Sequence, residues 1–374
     1  MPIAPLTRRR WLGAAAALAT GHAATPDLDF ARLLPKRFPR SAVYREPGFH
    51  LWDPAMVRTP DGVCHLLYSR WPVELGFDAW ATHAEIAWAS SDRPQGPYRF
   101  QGIALGARGA GFWDSHSVYN TCLLADGGRY YLYYTGNHGD TSWRTDRAPG
   151  MNEEAWWVQR NSQRIGVAVA AHPRGPWQRF DRPLLDTGPE TGSGIIAVPN
   201  VIHRHGGGFL LYYKTLASGP GRFGGGVFHY AATARNPLGP FRRQGPPMVN
   251  KQELMRTSNH FDFHIDDHLE WLQDGRYYAI VKDHDAPFLT PHGRSLLLME
   301  SRDGISWKFS PHPLVKDFAV TWQDGETQQF ERLEMPKLYF EKHRPKVLFL
   351  AARTAGNTRA PSFLLAVPLQ EARQ

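Results

Sequence analysis

Five times along the chain a polar turn is followed by a run of aromatic and β-branched residues. The runs are Val63-Cys64-His65-Leu66-Leu67-Tyr68 after Asp61-Gly62, Tyr130-Tyr131-Leu132-Tyr133-Tyr134 after Asp126-Gly127-Gly128, and Phe209-Leu210-Leu211-Tyr212-Tyr213 after Gly207-Gly208. Tyr277-Tyr278-Ala279-Ile280-Val281 after Asp274-Gly275 and the weaker Val347-Leu348-Phe349-Leu350 complete the set. Asp-Gly before such a run signals a tight hairpin, because the turn needs positive φ at its centre, so each run should pair with the apolar strand just upstream. After each of the first four comes a second strand-like segment (Ile86–Ala89, Ile165–Ala170, Phe228–Ala232, Ser295–Met299). A turn landmark follows: Gly96-Pro97-Tyr98, Gly175-Pro176-Trp177, Gly239-Pro240-Phe241 and the altered Gly304-Ile305-Ser306-Trp307. A repeat of roughly 60–80 residues with about four strands is the signature of a propeller blade. The pattern therefore predicts an all-β, five-bladed β-propeller, with 362–367 as a last strand that completes a blade and helps close the ring. A β-sandwich would accommodate scattered strands but not the recurring order of the two phrases.

Composition narrows the class. The chain has 374 residues, with Trp 13, Tyr 14 and Phe 20, which is too aromatic for a disordered protein. Two cysteines, Cys64 and Cys122, are too few for a disulfide scaffold or a zinc-finger array, and both sit in apolar runs where buried thiols serve as well as a bridge. No apolar stretch is long enough to span a bilayer. Residues 1–24 stand apart: Arg8-Arg9-Arg10-Trp11-Leu12 precedes a short Ala-rich run and then Ala23-Ala24. A cationic start, an apolar middle and small residues at the exit describe an export signal, here of twin-arginine type. The expected mature protein is a single catalytic domain, 25–374, in the periplasm or outside the cell. Without the three signal arginines the formal charge falls from +8 to +5, with no Lys/Arg block, so no nucleic-acid partner is expected.

In a propeller the starts of the innermost strands, and the ends of the strands beside them, gather at one mouth of the central funnel. The residues at those points are Trp52-Asp53-Pro54, Asp114-Ser115-His116 with Tyr119-Asn120, Val198-Pro199-Asn200, His264-Ile265-Asp266-Asp267-His268, and Glu331-Arg332-Leu333-Glu334-Met335-Pro336. Returning strands add Lys214 and Lys282-Asp283-His284. Four of five blade starts carry a carboxylate. Crowded carboxyls separate their pKa values into an acid and a base, which is the equipment of glycoside hydrolysis. The catalytic candidates are Asp53, Asp114, Asp266, Asp267, His284 and Glu334; His116, Asn120, Arg164, Asn200, His264, His268 and Lys282 are candidates for binding substrate. Arg164 closes the segment 156–164, whose Trp156, Trp157 and amides suit a sugar site or, equally, an insertion packed on the rim. Strict alternation over 260–266 places His260, Asp262, His264 and Asp266 on one strand face, which could hold a cation. No metal ligand set is assigned and no cofactor is required; a structural cation at the axis is the inorganic partner that an acidic ring would take.

The blade order, the Trp52-Asp53-Pro54 opening and the Gly-Pro-aromatic turns resemble the five-bladed propeller glycosidases of glycoside hydrolase families 43 and 117. The resemblance covers essentially the whole mature chain. It implies hydrolysis with inversion, Asp53 as the base, a second Asp that orients and tunes, and a proton donor from a later blade. The donor in those families is usually a Glu, whereas Asp266 and Asp267 stand here; His284 is the rival that the wider group implies, and Glu334 is another. The sequence thus points to an exported, exo-acting, inverting glycosidase acting on an oligo- or polysaccharide. A propeller polysaccharide lyase, using His or Tyr as base, and a non-catalytic carbohydrate-binding propeller are the alternatives.

Overall fold

The computed structural model describes residues 27–139, 148–189, 191, 193–216, 227–248, 265–283, 294–356 and 360–371. It is a five-bladed propeller. A two-residue strand β1 (Val43–Tyr44) comes first. Blade one is β2 (Phe49–Arg58), β3 (Cys64–Pro72), β4 (Glu85–Ser91) and β5 (Arg99–Leu105); blade two is β6 (Ser117–Asp126), β7 (Arg129–Asn137), β8 (Arg164–Ala170) and β9 (Gln178–Arg179). Blade three is β10 (Ser193–His203), β11 (Phe209–Leu216), β12 (Val227–Ala234) and β13 (Arg242–Gln244); blade four is β14 (Ile265–Gln273), β15 (Arg276–Asp283), β16 (Ser295–Ser301) and β17 (Lys308–Asp317). Blade five combines β18 (Ala319–Thr321), β19 (Thr327–Glu341), β20 (Arg344–Thr354) and β21 (Phe363–Pro368) with β1, in the order β1-β21-β20-β19-β18. Every pairing is antiparallel, so each blade is a meander. The last predicted strand does complete a blade, and the amino-terminal strand then adds to its outer edge, with Val43 opposite Leu365 and Tyr44 opposite Leu364.

The turns behave as their sequences require. Gly127 and Gly128, and Asp274 and Gly275, all have positive φ, which makes the hairpins β6–β7 and β14–β15 two-residue turns of the kind that matches strand twist. The three Gly-Pro landmarks fall at equivalent places, between the third and fourth strands of blades one to three. Apolar side chains from facing sheets form five clusters, one centred on each pair of neighbouring blades. The aromatic runs recognised in the sequence supply them: Tyr68, Tyr133, Tyr134, Tyr212, Tyr213 and Tyr277 are among the largest fully buried side chains. Both cysteines are buried and free.

One irregularity repeats with the symmetry of the ring. The innermost strands β2, β6, β10, β14 and β19 each carry a bulge, where pairing with the second strand slips. Each bulge holds one non-glycine residue at positive φ: Asp53 (52°), Asn120 (55°), Val198 (55°), Asp267 (44°) and Met335 (53°). A bulge bends the strand and re-aims its side chains. A β-branched Val in the left-handed region is strained, and its survival there shows how firmly the ring dictates that backbone. These five residues, with the residue before each, form one level around the axis.

Candidate active site

Five equivalent bulges on five strands that neighbour one another around the axis form a single ring. Asp53 and Asp267 therefore occupy equivalent positions of that ring, on blades that are not adjacent. The strands enter this ring from one end of the propeller, and all connections between second and third strands lie at that same end. The connections there are 8 to 26 residues long in the sequence, against two to five for the hairpin turns at the other end.

The Asp53 carboxylate is buried and fully engaged. The Asn120 backbone N–H donates to its Oδ2 at 2.9 Å, Asn120 Nδ2 donates to Oδ1 at 3.0 Å, and Ser69 Oγ donates to Oδ2 at 2.6 Å. Thr121 Oγ1 donates to the Asp53 carbonyl. Asp53 thus clasps the bulge of the next blade. Burial raises its pKa against these bonds and the Lys337 charge.

On the other side Lys282, from the second strand of blade four, is buried among three carboxyls. Its Nζ lies 2.7 Å from Glu334 Oε1, 2.9 Å from Asp267 Oδ2 and 3.5 Å from Asp266 Oδ2. Lys214 Nζ donates to Asp266 Oδ1 at 2.6 Å, and Arg332 Nη1 lies 3.3 Å from Glu334 Oε1. Desolvation alone would discharge Lys282, but the three carboxyls outweigh it and hold its pKa above the ordinary value. For Glu334 the balance runs the other way: burial pushes the carboxyl up, the Lys282 and Arg332 cations pull it further down, and it stays below the usual range. Asp267 differs. Burial raises it, the charges of Asp266 and Glu334 add to this, and Lys282 only partly opposes them, leaving it at about 7. The ring thus contains one carboxyl poised to hold a proton near neutrality beside two ion-paired ones.

The register explains this arrangement. The second-strand residues opposite the pre-bulge positions are Ser69, Thr135, Lys214, Lys282 and Ala351. Three of them reach forward to the following blade: Thr135 Oγ1 accepts the Val198 N–H at 3.0 Å, Lys214 meets Asp266, and Lys282 meets Glu334. Ser69 and Lys337, both beside Asp53, were missed in the sequence, and Arg332, named there in the blade-five stretch, was given no role; the residue opposite each bulge is the signal that would have found Ser69.

The remaining predicted residues are dispersed. Below the bulges, Asn200 Nδ2 donates to Glu270 Oε2 at 2.9 Å, and His268 Nδ1 lies 2.9 Å from Glu270 Oε1. The Cys122 thiol is 3.7 Å from Asn200 Oδ1, so this buried knot joins three blades. Asp114 precedes its strand and turns away from the ring, taking Arg108 at 2.6 Å, Arg179 at 3.3 Å and the Tyr134 hydroxyl at 2.8 Å. His116 is buried with Nδ1 2.7 Å from Ser115 Oγ, and Arg164 pairs with Asp186. The Trp156–Trp157 segment is a helix, α2 (Glu154–Asn161), packed on the short helix α1 (Trp80–His83) at the mouth of blades one and two. Its tryptophans are buried against Trp80, so they build the wall rather than present free ring faces. Arg160 of α2 lies within the field of Asp266, and burial lowers its pKa. His264, His284 and the expected export signal, 1–24, lie outside the described residues. Among the described residues no group of three or more His, Cys, Asp or Glu is arranged to hold a metal ion, and Lys282, Lys214 and Arg332 supply the positive charge facing the acidic ring.

No protein-family model matches the chain, and no curated protein matches it. Solved structures do resemble it in fold. Zg3597, a family 117 glycoside hydrolase of the marine bacterium Zobellia galactanivorans, matches at 14% identity over 91% of each chain, with a TM-score of 0.59. A thermostable family-43 glycoside hydrolase matches at 13% identity over 88% of this chain and 93% of that one, with a TM-score of 0.55. An endo-arabinase from Bacteroides thetaiotaomicron matches at 14% identity over 90% and 98%, with a TM-score of 0.54.

Proposed function

We propose that the chain is an exported glycoside hydrolase in which Asp267 donates the proton to the departing sugar oxygen and Asp53, across the axis, activates water. The observation that carries this is a buried carboxyl poised at about 7 and a second buried carboxyl at the equivalent bulge of a non-adjacent blade. Glycosidic oxygens leave poorly unless protonated, and a donor works best when its pKa is near the working pH. Opposed carboxyls with room for a water between them invert the anomeric centre; those separated by about 5 Å retain it. Burial and the charges of the ion-paired Asp266 and Glu334 keep the proton on Asp267 against the pull of Lys282. The wall of α1 and α2 at the mouth supports a closed pocket and exo action, and the likeness of fold to glycoside hydrolases and an endo-arabinase supports the substrate class. The cationic start of residues 1–24 supports export of the single domain that follows.

The test is a screen of neutral and anionic oligosaccharides read by mass, with the released anomer followed by NMR. Turnover should add one water per cleavage with inverted configuration. It should fall as pH rises through about 7, because the donor loses its proton there. Asp267→Asn and Asp53→Asn should each cost about 10²–10⁴-fold in kcat with the fold intact. Full activity in either variant removes that residue from the mechanism, an ultraviolet-absorbing product would make the protein a lyase, and binding without turnover would make it a lectin-like propeller.

A further inference from the structure

A second constellation lies at the opposite end of the propeller, where the tight turns of blades one and two meet. A cavity of 580 Å³ is lined there by Thr59, Asp61, Asp126, Arg129, Tyr130 and His172 among others. That volume falls within the range of small-molecule sites, about 300–1,000 Å³. Arg58, the last residue of β2, is five residues past the Asp53 bulge, so the cavity is about 17 Å or more from the catalytic level.

The walls are pre-organised by a chain of hydrogen bonds that runs from the buried His65 out to the exposed Asp61. Trp88 Nε1 donates to His65 Nδ1 at 3.1 Å, which leaves the His65 proton on Nε2, 3.2 Å from Thr59 Oγ1. Thr59 Oγ1 in turn donates to Asp61 Oδ1 at 2.5 Å, and the Val63 N–H reaches the same oxygen at 3.3 Å. Burial depresses His65 to about 4, so this relay keeps one tautomer across the neutral range. It fixes Asp61 with Oδ1 occupied and Oδ2 free of any partner among the described residues. The His172 ring stands edge-on to His65 at 4.9 Å, and its Nδ1 accepts the Arg174 N–H at 3.2 Å, so its Nε2–H is left for a ligand. The Tyr130 ring is 6.4 Å from His172 and half-buried, and neither its hydroxyl nor the Arg129 guanidinium has a hydrogen-bond partner among the described residues.

The cavity thus offers a carboxylate acceptor (Asp61), an imidazole donor (His172), a guanidinium (Arg129) and a phenol ring (Tyr130), from three turns. Two carboxyls argue against an anionic ligand and the guanidinium against a cationic one. Alternating donors and acceptors around a ring are what a neutral polyhydroxylated ligand requires. We propose that this cavity is a non-catalytic binding site for neutral saccharide units, which ties a second stretch of polymer to the face opposite the mouth. The choice of ligand class rests on the carbohydrate reading above; the site itself does not.

Electrophoresis of the full chain in native gels cast with arabinan, xylan, pectin or agarose tests it without requiring turnover. The Tyr130→Ala/His172→Ala variant should bind the retarding polymer about tenfold more weakly than the wild type. Its kcat and KM on a small aryl glycoside should not change. Asp61→Asn with Arg129→Ala should weaken binding likewise, which guards against a local distortion in the first variant. Equal retardation of the wild type and both variants, or no retardation of the wild type in any gel, overturns the proposal. Retardation lost in both variants while the wild type hydrolyses nothing would uphold this site and sink the hydrolase reading alone.

Discussion

Three carboxyls and one ammonium share the space beneath the mouth, and the ammonium decides what the carboxyls do. Lys282 is 1% exposed, so its charge is not diluted by water. Removing it leaves buried acids without their cation, a change that typically costs about 3–5 kcal/mol. Lys282→Met is therefore expected to lower the unfolding midpoint steeply, and to do so more above neutrality, where the acids are ionised. The same substitution has a second readout. Lys282 pulls the Asp267 pKa down, so its loss moves the alkaline limb of the pH–rate profile upward in whatever activity remains. A limb that stays near 7 would show that Asp267 is not the titrating donor. At this scale the acids were legible in the sequence because Asp53-Pro54 and Glu334-Met335-Pro336 stand at recognisable strand positions. Their partners were not. Lys214 acts on the blade that follows its own and Lys282 on its own blade and the next, and only the register between strands says which residues those are. Asp114 shows the converse: a carboxylate just before a strand was readable as a candidate, but the loop carrying it turns to Arg108 and Arg179 instead of to the axis.

At the scale of elements, hairpins and blades were legible because period-two alternation and Asp-Gly turns report backbone geometry directly. The helix α2 was not. It has eight residues, too few to be stable alone, and it forms because Trp156 and Trp157 bury against Trp80 and because Trp156 Nε1 donates to the Asp78 carbonyl at 2.9 Å. Close packing between strand and loop is equally invisible in a sequence. Trp113 lies flat along blade two, stacked on Tyr134 at 5.5 Å, and a methyl at Gly136 would sit 2.6 Å from both Trp113 Cζ3 and Asp114 Cβ. Gly136→Ala is expected to destabilise by about 1–3 kcal/mol through overpacking. It should also loosen the Asp114 ion pairs, without any change at the carboxylates of the ring. Chemical denaturation measures the first effect, and an unaltered pH–rate profile measures the second.

For the molecule as a whole, the five clusters between blades make each blade dependent on two neighbours. The ring is complete only when blade five closes against blade one. Burial of Phe30, Phe38 and Tyr44, with the β1–β21 pairing, makes the segment 27–44 part of that closure. Deleting 27–44 is expected to lower the unfolding midpoint by several degrees and to expose the apolar edge of β21, seen as dye binding or association in solution. An unchanged midpoint would show that the first strand is ornamental.

That first strand also ties together the two ends of the chain's life. Residue 43 finds its partner only once residue 365 has been made, so a nascent chain shorter than that cannot finish this fold or mimic the finished ring. Under the export proposed above, removal of residues 1–24 would leave only the five residues 25–29 ahead of the buried Phe30.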